Sequence, residues 1–473
     1  MQFLDLPLEL VAAILFHLGR PQYLAVACRV NKAFFTFTIP RLYERASIYS
    51  WHKHAKAKVV SLFDTLSLCP QLAKYVLRLE IRDFPKSAGR ADTDAAVLEG
   101  LKNCVNLEAC IWTRDGALTS DILSVLQASD TLVELEINGH SDGKYDAGIL
   151  SGFSHLRRLS LIMPSTDVVR QLPSWIAVTG ASLRSLTLIC KMSPLVTDAV
   201  LERLAPSLAH LEQLSIIGCL RVSHVGVWAL LVQNNAGLQS LALEGLPPKF
   251  NLAALAALCT DRSVLARLVS LTVTVHTESW LASVSALITY APLERFQLYA
   301  TRAFEQTPAT DAFWGALIDA HGPRLTRVSV HRMPVALHAI ADLCAPARCP
   351  ALIALFVVID PADLAPLADC LATARALATV HVNFHARAPG PEADAESDVP
   401  DHDAPRLGVL TAPEALAIVR RCPETIALFG CNARVWQVGR HIRRTADGAL
   451  VAERFLAKYD SPDVPEQFLV VRT

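Results

Sequence analysis

The chain has no excess of charge of either sign. Its 44 Lys and Arg stand against 45 Asp and Glu in 473 residues, for a net charge of −1. A protein that grips nucleic acid or an anionic membrane through phosphates carries a basic footprint, so neither partner is indicated. The twelve cysteines include no Cys-x-x-Cys and none of the close pairing of a disulfide scaffold, and no Asn-x-Ser/Thr acceptor occurs anywhere. Both absences favour a reducing compartment, cytoplasmic or nuclear, over secretion. Catalytic signatures are missing as well: no Gly-x-x-x-x-Gly-Lys-Ser/Thr phosphate loop, no His-Glu-x-x-His and no Gly-x-Ser-x-Gly elbow. Nothing nominates a nucleophile with its base, a metal-ligand set or a cofactor. Repeat folds can nevertheless carry enzymes or GTPase regulators, so that class stays open.

The N-terminus lacks the basic n-region of a signal peptide. Phe3 to Leu18 is apolar but holds Asp5, Glu9 and His17, which argues against a signal or membrane helix. Instead Leu10, Val11, Ile14, Leu15 and Leu18 share one helical face, with Pro7 at its start and Gly19 at its end. A second helix is predicted near Tyr23 to Val30 and a third over Lys32 to Thr38, with Pro40 interrupting before Leu42 and Tyr43.

What fills most of the chain is a repeat. Leu-x-x-Leu-x-Leu or a close variant begins at Leu132, Leu156, Leu183, Leu211, Leu238 and Leu268, and more loosely at Leu293, Leu325, Leu352 and Leu377. The steps are 24, 27, 28, 27, 30, 25, 32, 27 and 25 residues, the period of a solenoid. Alternating leucines suit a short strand with one buried face. Between strands the period becomes helical: after Leu183, Thr197 and Asp198 are placed to cap a helix whose Val200, Leu201 and Leu204 share a face. One strand and one helix cannot cover both apolar faces alone, whereas stacked units make a continuous core.

This pattern resembles the cysteine-containing leucine-rich repeats, most clearly in LSIIGCLRVSHVGVWALL from Leu214 to Leu231, where Gly218, Cys219, Ser223, His224 and Gly226 follow that layout. The resemblance implies an α/β fold: a right-handed solenoid with a parallel-strand horseshoe and Cys219 as a small buried residue. The N-terminal segments LPLELVAAILFHL, YLAVACRVNKAFFTF and IPRLY resemble the F-box through Leu6, Pro7, Glu9, Ile14, Leu18, Leu24, Val30, Lys32, Phe34, Pro40, Leu42 and Tyr43. Departures are Phe34 and Tyr43 where tryptophan is common, and Asn31 where Cys or Ser is usual. The alanine-rich bias and the IPRLYERASI segment are similar to fungal F-box proteins. What this implies is a non-catalytic substrate receptor of an SCF-type cullin–RING ubiquitin ligase. In that reading the F-box docks on the Skp linker subunit, and through it on cullin, while the repeats hold a protein substrate. Leu6, Pro7, Glu9, Ile14, Leu18 and Val30 would meet the linker, although core packing alone also explains apolar residues at such positions. A cullin-independent scaffold is the second reading.

The expected domains are the F-box over 1–48, a linker helix over 49–75 with Val59, Leu62, Phe63 and Leu66 inward, about twelve repeats over 76–433, and a C-terminal β-hairpin cap over 434–473 turning at Asp447-Gly448. Tyr75 to Ile81 and Leu107 to Trp112 read as irregular early strands. The Pro-, Ala- and acid-rich 386–405 reads as a mobile loop. Two weak metal signals, Trp51-His52-Lys53-His54 and Asp401-His402-Asp403, are more simply a helix start and an acidic loop. Residues between the strand leucines point to the concave face. The later ones are the more basic and aromatic, placing a partner at Arg295, Tyr299, Arg327 and His331, with Trp436 or Arg440 bordering it; an ordinary solvated sheet face is the alternative.

Overall fold

The computed structural model describes residues 7–85, 91–191, 193–302, 304–384, 410–444 and 450–459. Leu6, the acidic segment 386–405 and the Asp447-Gly448 turn lie outside the described residues. The chain divides into two compact units, with the boundary after Leu238.

The first unit opens with three helices, α1 (Leu8–Phe16), α2 (Pro21–Ala27) and α3 (Lys32–Glu44). Asn31 starts α3 by accepting a hydrogen bond from the Phe34 amide, the geometry of an N-cap. Pro40 does not interrupt this helix, contrary to the sequence expectation. An interior proline costs roughly 3 kcal/mol, and here Thr38 and Ile39 are buried beside it while Arg41 donates to the Leu15 and Phe16 carbonyls at the end of α1. The helix is thus held on both sides of the proline. The boundary at residue 48 also moves, because Arg45–Ile48 is the first sheet strand, β1, paired in parallel with β2 (Arg78–Ile81). Between them lie α4 (Ala55–Leu68) and α5 (Pro70–Ala73). Val59, Phe63 and Leu66 are buried and Leu62 half-buried, the face the spacing predicts. The His52–His54 stretch is a turn: Trp51 stacks on Tyr49 at 4.5 Å, and His54 takes a left-handed φ of 58° before α4.

The unit continues through α6 (Ala91–Asn103), β3 (Ala109–Trp112), α7 (Ser120–Gln127), β4 (Glu134–Asn138), β5 (Arg158–Ile162), α8 (Thr166–Thr179), β6 (Ser185–Ile189), α9 (Asp198–Leu204), β7 (Gln213–Ile217) and α10 (His224–Gln233). Each of the seven strands is parallel to the next and in register with it. The strand leucines face the helices and are buried, among them Leu135, Leu159, Leu161, Leu186, Leu188 and Leu214. Cys219 is fully buried 3.1 Å from the Cys190 sulfur. The hydrogen bond between the thiols and their burial push the Cys219 thiol well up, and all twelve cysteines are free.

Neighbouring repeats are also latched by a carboxylate. Thr197 makes no side-chain cap to α9. Asp198 instead reaches the next repeat, accepting from the Ser223 amide at 2.7 Å, the Ser223 hydroxyl at 2.6 Å and the Gly226 amide at 3.2 Å. A Cβ on Gly226 would stand 2.5 Å from that carboxylate oxygen, so the latch requires glycine.

The second unit runs β8 (Ser240–Glu244), α11 (Leu252–Arg262), β9 (Ser270–Val275), α12 (Ser279–Ile288), β10 (Arg295–Ala300), α13 (Pro308–His321), β11 (Arg327–Pro334), α14 (Leu337–Cys344), β12 (Ala354–Ile359), α15 (Leu364–Thr373), β13 (Thr379–Phe384), α16 (Ala412–Arg421), β14 (Leu428–Cys431), β15 (Arg434–Arg444) and β16 (Leu450–Lys458). Strands β8 to β14 are parallel neighbours, with a register shift on β11 after Ser329 where Arg332 takes a φ of 61°. Strands β14, β15 and β16 pair antiparallel. Every one of the ten Leu-x-x-Leu-x-Leu copies contains a strand, so both units are built of the parallel strand-and-helix layers of a leucine-rich-repeat-like α/β fold.

Removing the inter-repeat latch tests this packing. Hydrogen bonds to a charged group are worth about 1.5–3 kcal/mol each, so Asp198→Ala is expected to cost about 2 kcal/mol. Gly226→Ala should cost a similar amount through the clash. Urea-denaturation midpoints of the full chain measure both, and an unchanged midpoint for the pair would contradict the latch.

Candidate functional site

Alternate strand residues project away from the helices, and the two units furnish that face differently. In the first, the charges are already paired. Glu80 on β2, 1% exposed, accepts from Arg45 Nε and Arg78 Nε at 2.8 Å each and from the Tyr49 hydroxyl at 3.0 Å. Arg78 also donates to Glu134 on β4 at 2.9 Å, where Arg158 of β5 adds a bond at 2.8 Å. Arg82 reaches Glu136 at 3.0 Å. Arg78 can cross β3 because β3 offers Ala109 and Ile111 on this face, and both are buried under the network. Burial opposes the charge on Glu80, but the hydrogen bonds from Arg45 and Arg78 outweigh it and hold the carboxyl below its ordinary range. For Glu136 burial prevails over Arg82, and its carboxyl is raised.

In the second unit the register builds rows. Ser270, Arg295 and Arg327 are direct partners across β9, β10 and β11; Thr272, Gln297 and Ser329 form the next row, continued by Phe356 on β12 and His381 on β13; Thr274, Tyr299 and His331 form a third. Glu244 at the end of β8 borders the third row, where the Gly245 amide donates to Thr274 Oγ1 at 3.0 Å. The four residues nominated from sequence therefore meet: Arg295 stands beside Arg327, and Tyr299 stacks on His331 with 4.5 Å between ring centres. The guanidinium of Arg327 lies 4.8 Å over the Phe356 ring, a cation–π contact. Gln297 donates to the Tyr299 hydroxyl, and Ser329 and His331 are bonded at 3.0 Å.

Part of this face is shielded from solvent, while Arg295 is exposed and Tyr299, Arg327 and His331 are half-buried. Ser329, Phe356 and His381 are each at most 2% exposed. His381 has its place because β14 brings Gly430 beside it, where a Cβ would come within 2.0 Å of the ring. Burial pulls the His381 imidazole down to about 4. Burial first, then His381, Arg327 and Arg332, pull His331 down to about 4 as well. Both rings are neutral at pH 7. Burial lifts the Glu244 carboxyl to about 7. Glu244, Ser270, Thr272 and Gln297, which alternation in the sequence also directs to the concave face, stand in these rows beside the four nominated residues.

Ser270, Thr272, Arg295, Gln297 and Arg327 line a cleft of about 280 Å³. A larger hollow of about 590 Å³ lies against β16 and α16, where Arg454 pairs with Glu424 at 2.7 Å and Arg420 with Glu453 at 3.5 Å, and Arg443 and Arg444 also line it. Trp436 stacks on Phe429 and Arg440 pairs with Glu424, so both support the last strands. Among the described residues no group of three His, Cys, Asp or Glu converges as a metal site, and no helix is long and apolar enough to cross a membrane.

On the N-terminal helices, Pro7, Ile14 and Val30 are exposed, Ile14 by 45% and Val30 by 58%. Leu18 is half-buried and, like Phe34 and Phe37, packs against the small core of Val11, Leu15 and Ala27. Glu9 lies in α1. Leu10, Phe16, Val26 and Phe35, outside the nominated set, are exposed apolar residues of the same three helices. Their place outside the core was hidden, because a helix this apolar shows no clear stripe.

No protein-family profile matches the sequence, and no curated protein matches it. Among solved structures, the crystal structure of a TLR13–ssRNA13 complex, whose protein is a leucine-rich-repeat protein, aligns with a TM-score of 0.36 and 14% identity over 67% of this chain. The aligned part spans 44% of that chain.

The pH dependence of the second unit follows from its buried groups. Histidines lowered to about 4 contribute stability that is present above their ordinary value near 6.5 and lost as pH falls from there through 4. A carboxyl raised to about 7 contributes stability that is lost as pH rises from about 4.5 through 7. Each group sets a slope of at most about 1.4 kcal/mol per pH unit. The His331→Gln/His381→Gln variant should therefore flatten the acid-side fall of the urea midpoint between pH 6.5 and 4. Glu244→Gln should raise the midpoint at pH 8 relative to pH 5. Parallel pH profiles for all three proteins would refute the assignment.

Proposed function

We propose that the chain is the substrate-recognition subunit of an SCF-type ubiquitin ligase: its N-terminal helices are an F-box that docks on the Skp linker subunit, and its repeats hold a protein substrate. The observation that carries this reading is the apolar surface of α1, α2 and the turn after it. Leu10, Ile14, Val26 and Val30 are 45–64% exposed beside a core of only a few residues. Apolar patches rimmed by polar residues mark partner surfaces, and a short helical unit with this much uncovered leucine, isoleucine and valine suits a helix-in-groove partner.

In this role the protein supplies no reacting group. It brings a bound protein close to a ubiquitin-charged enzyme elsewhere in the assembly and raises the effective concentration of its lysines. All twelve free cysteines accord with a cytoplasmic or nuclear setting. In the second reading the same helices bind the linker subunit without cullin, as part of a scaffold.

Pulldown of the full chain against the linker subunit, with and without cullin, tests both. Covering one such side chain is worth roughly 1.5–3 kcal/mol, so Ile14→Asp/Val30→Asp should weaken linker binding more than tenfold while leaving the far-UV circular dichroism unchanged. Linker binding without cullin would favour the scaffold. A folded wild-type chain that captures no linker subunit would end both.

A further inference from the structure

The buried thiols at the ends of β6 and β7 carry an assignment that stands apart from the ligase reading. We propose that Cys190 and Cys219 are an oxidation site of the native chain: a peroxide converts this one pair to a disulfide that ties two successive repeats covalently.

Geometry singles the pair out. All twelve cysteines are free, and among the described residues these are the two bonded sulfur to sulfur, 3.1 Å apart although 29 residues separate them in sequence. The strands bring them there. Ile189 and Ile217 are the last partners of β6 and β7, and just beyond them the Cys190 amide donates to the Ile217 carbonyl at 2.8 Å. Cys190 follows Ile189 directly, whereas Gly218 intervenes before Cys219 with a φ of 65°, a conformation that glycine adopts without steric cost. Past that turn the Cys219 sulfur lies against the preceding repeat, 3.9 Å from the Leu188 carbonyl as well. A disulfide holds its sulfurs about 2.05 Å apart, so the two have to close by only about 1 Å, and no strand has to slip.

The same two repeats are joined by Asp198, which accepts from Ser223 and Gly226 of the following layer. That latch returns the layers to one arrangement whenever they close, and with it the thiols to contact. In a solenoid each interface between neighbours contributes its own share of stability, so a bond here acts on one interface.

Both side chains are fully buried, which slows any reagent, and reaction starts when the layer opens locally. One thiol gives up its proton and its sulfur attacks the peroxide. The O–O bond breaks, the sulfur keeps one oxygen as a sulfenic acid, and the released hydroxide takes up the proton as water. The second sulfur then attacks the sulfenic sulfur: the S–S bond forms, the S–O bond breaks, and the departing hydroxide leaves with the second thiol's proton as another water. The two thiols together lose two electrons, and one peroxide accepts them. Thiol reductants reverse the bond by exchange, so a reducing compartment keeps the pair as thiols until peroxide rises.

Peptide mapping of the full chain tests this. The native protein is treated with hydrogen peroxide, its remaining thiols are blocked with N-ethylmaleimide in urea, and tryptic digestion is run without reductant. The expected product is Ser185–Lys191 joined to Leu204–Arg221, two hydrogens lighter than the sum of the two peptides and separated by dithiothreitol. The oxidised chain should show a higher urea midpoint than the reduced one. Cys190→Ala should lose both the link and the gain, while Cys370→Ala keeps them. Peroxide added to chain already unfolded in urea is the comparison that needs no variant, and there the pairings should scatter. A link that forms as readily in urea as in the native protein would overturn the proposal. So would native protein in which Cys190 and Cys219 stay thiols while the half-buried Cys28, Cys69 and Cys370 oxidise, or in which either of the two becomes sulfinic acid without the link.

Discussion

Register is the constraint on which this molecule depends. A repeat cannot bury its own strand face and helix face, so each must be covered by the next, and that happens only where the strands begin at the same height. From β4 onward the leucine copies enforce this. The steps vary from 24 to 32 residues, the differences falling between the strands, while the strand leucines stay buried opposite one another. Any slip by one residue would send an entire leucine row into solvent. The polar face inherits this order, because whatever sits between the leucines is carried into rows as strictly as the leucines are.

The two faces show what can be done with such rows. In the first unit a small-residue gap at Ala109 lets an arginine bridge from one strand to the next but one, and the charges close on themselves around Glu80. In the second, aromatic and hydroxyl side chains fill the rows, and two histidines are kept uncharged among arginines. The repeats are alike in backbone and opposite in electrostatics. The first unit's face is tied together by ion pairs, and the second's by aromatic stacking and hydroxyl hydrogen bonds.

Much of this was legible in the sequence, for a physical reason: alternation with period two is a local signal, and Leu-x-x-Leu-x-Leu states both the strand and its inward side. The alignment of LERFQL with LTRVSV placed Arg295 beside Arg327 before any coordinates did. What escaped was not local. Arg45–Ile48 becomes a strand because β2 is there to receive it, although its residues carry no leucine frame. Pro40 stays helical because its neighbours are anchored to α1. Asp198 looks like a cap for its own helix and serves the following repeat. Leu18 and Ile14 lie on one helical face by spacing, yet Leu18 packs against the core of Val11, Leu15 and Ala27 while Ile14 is exposed. The burial of His381 depends on Gly430, some fifty residues beyond it.

The strand spacing has a last consequence for anything laid on the second unit's face. Rows repeat about every 4.8 Å across the sheet, whereas an extended chain advances about 3.4 Å per residue. A segment crossing the strands at right angles falls out of phase at once and returns to phase only after about seven residues, or five strand spacings, each close to 24 Å. Such a partner is read at one anchor point, and its immediate neighbours fall between rows. A segment lying along a strand direction keeps step at every second residue. The pitch of the scaffold therefore sets whether an extended segment laid on it keeps step at one side chain or at every second one, by the direction in which the segment lies.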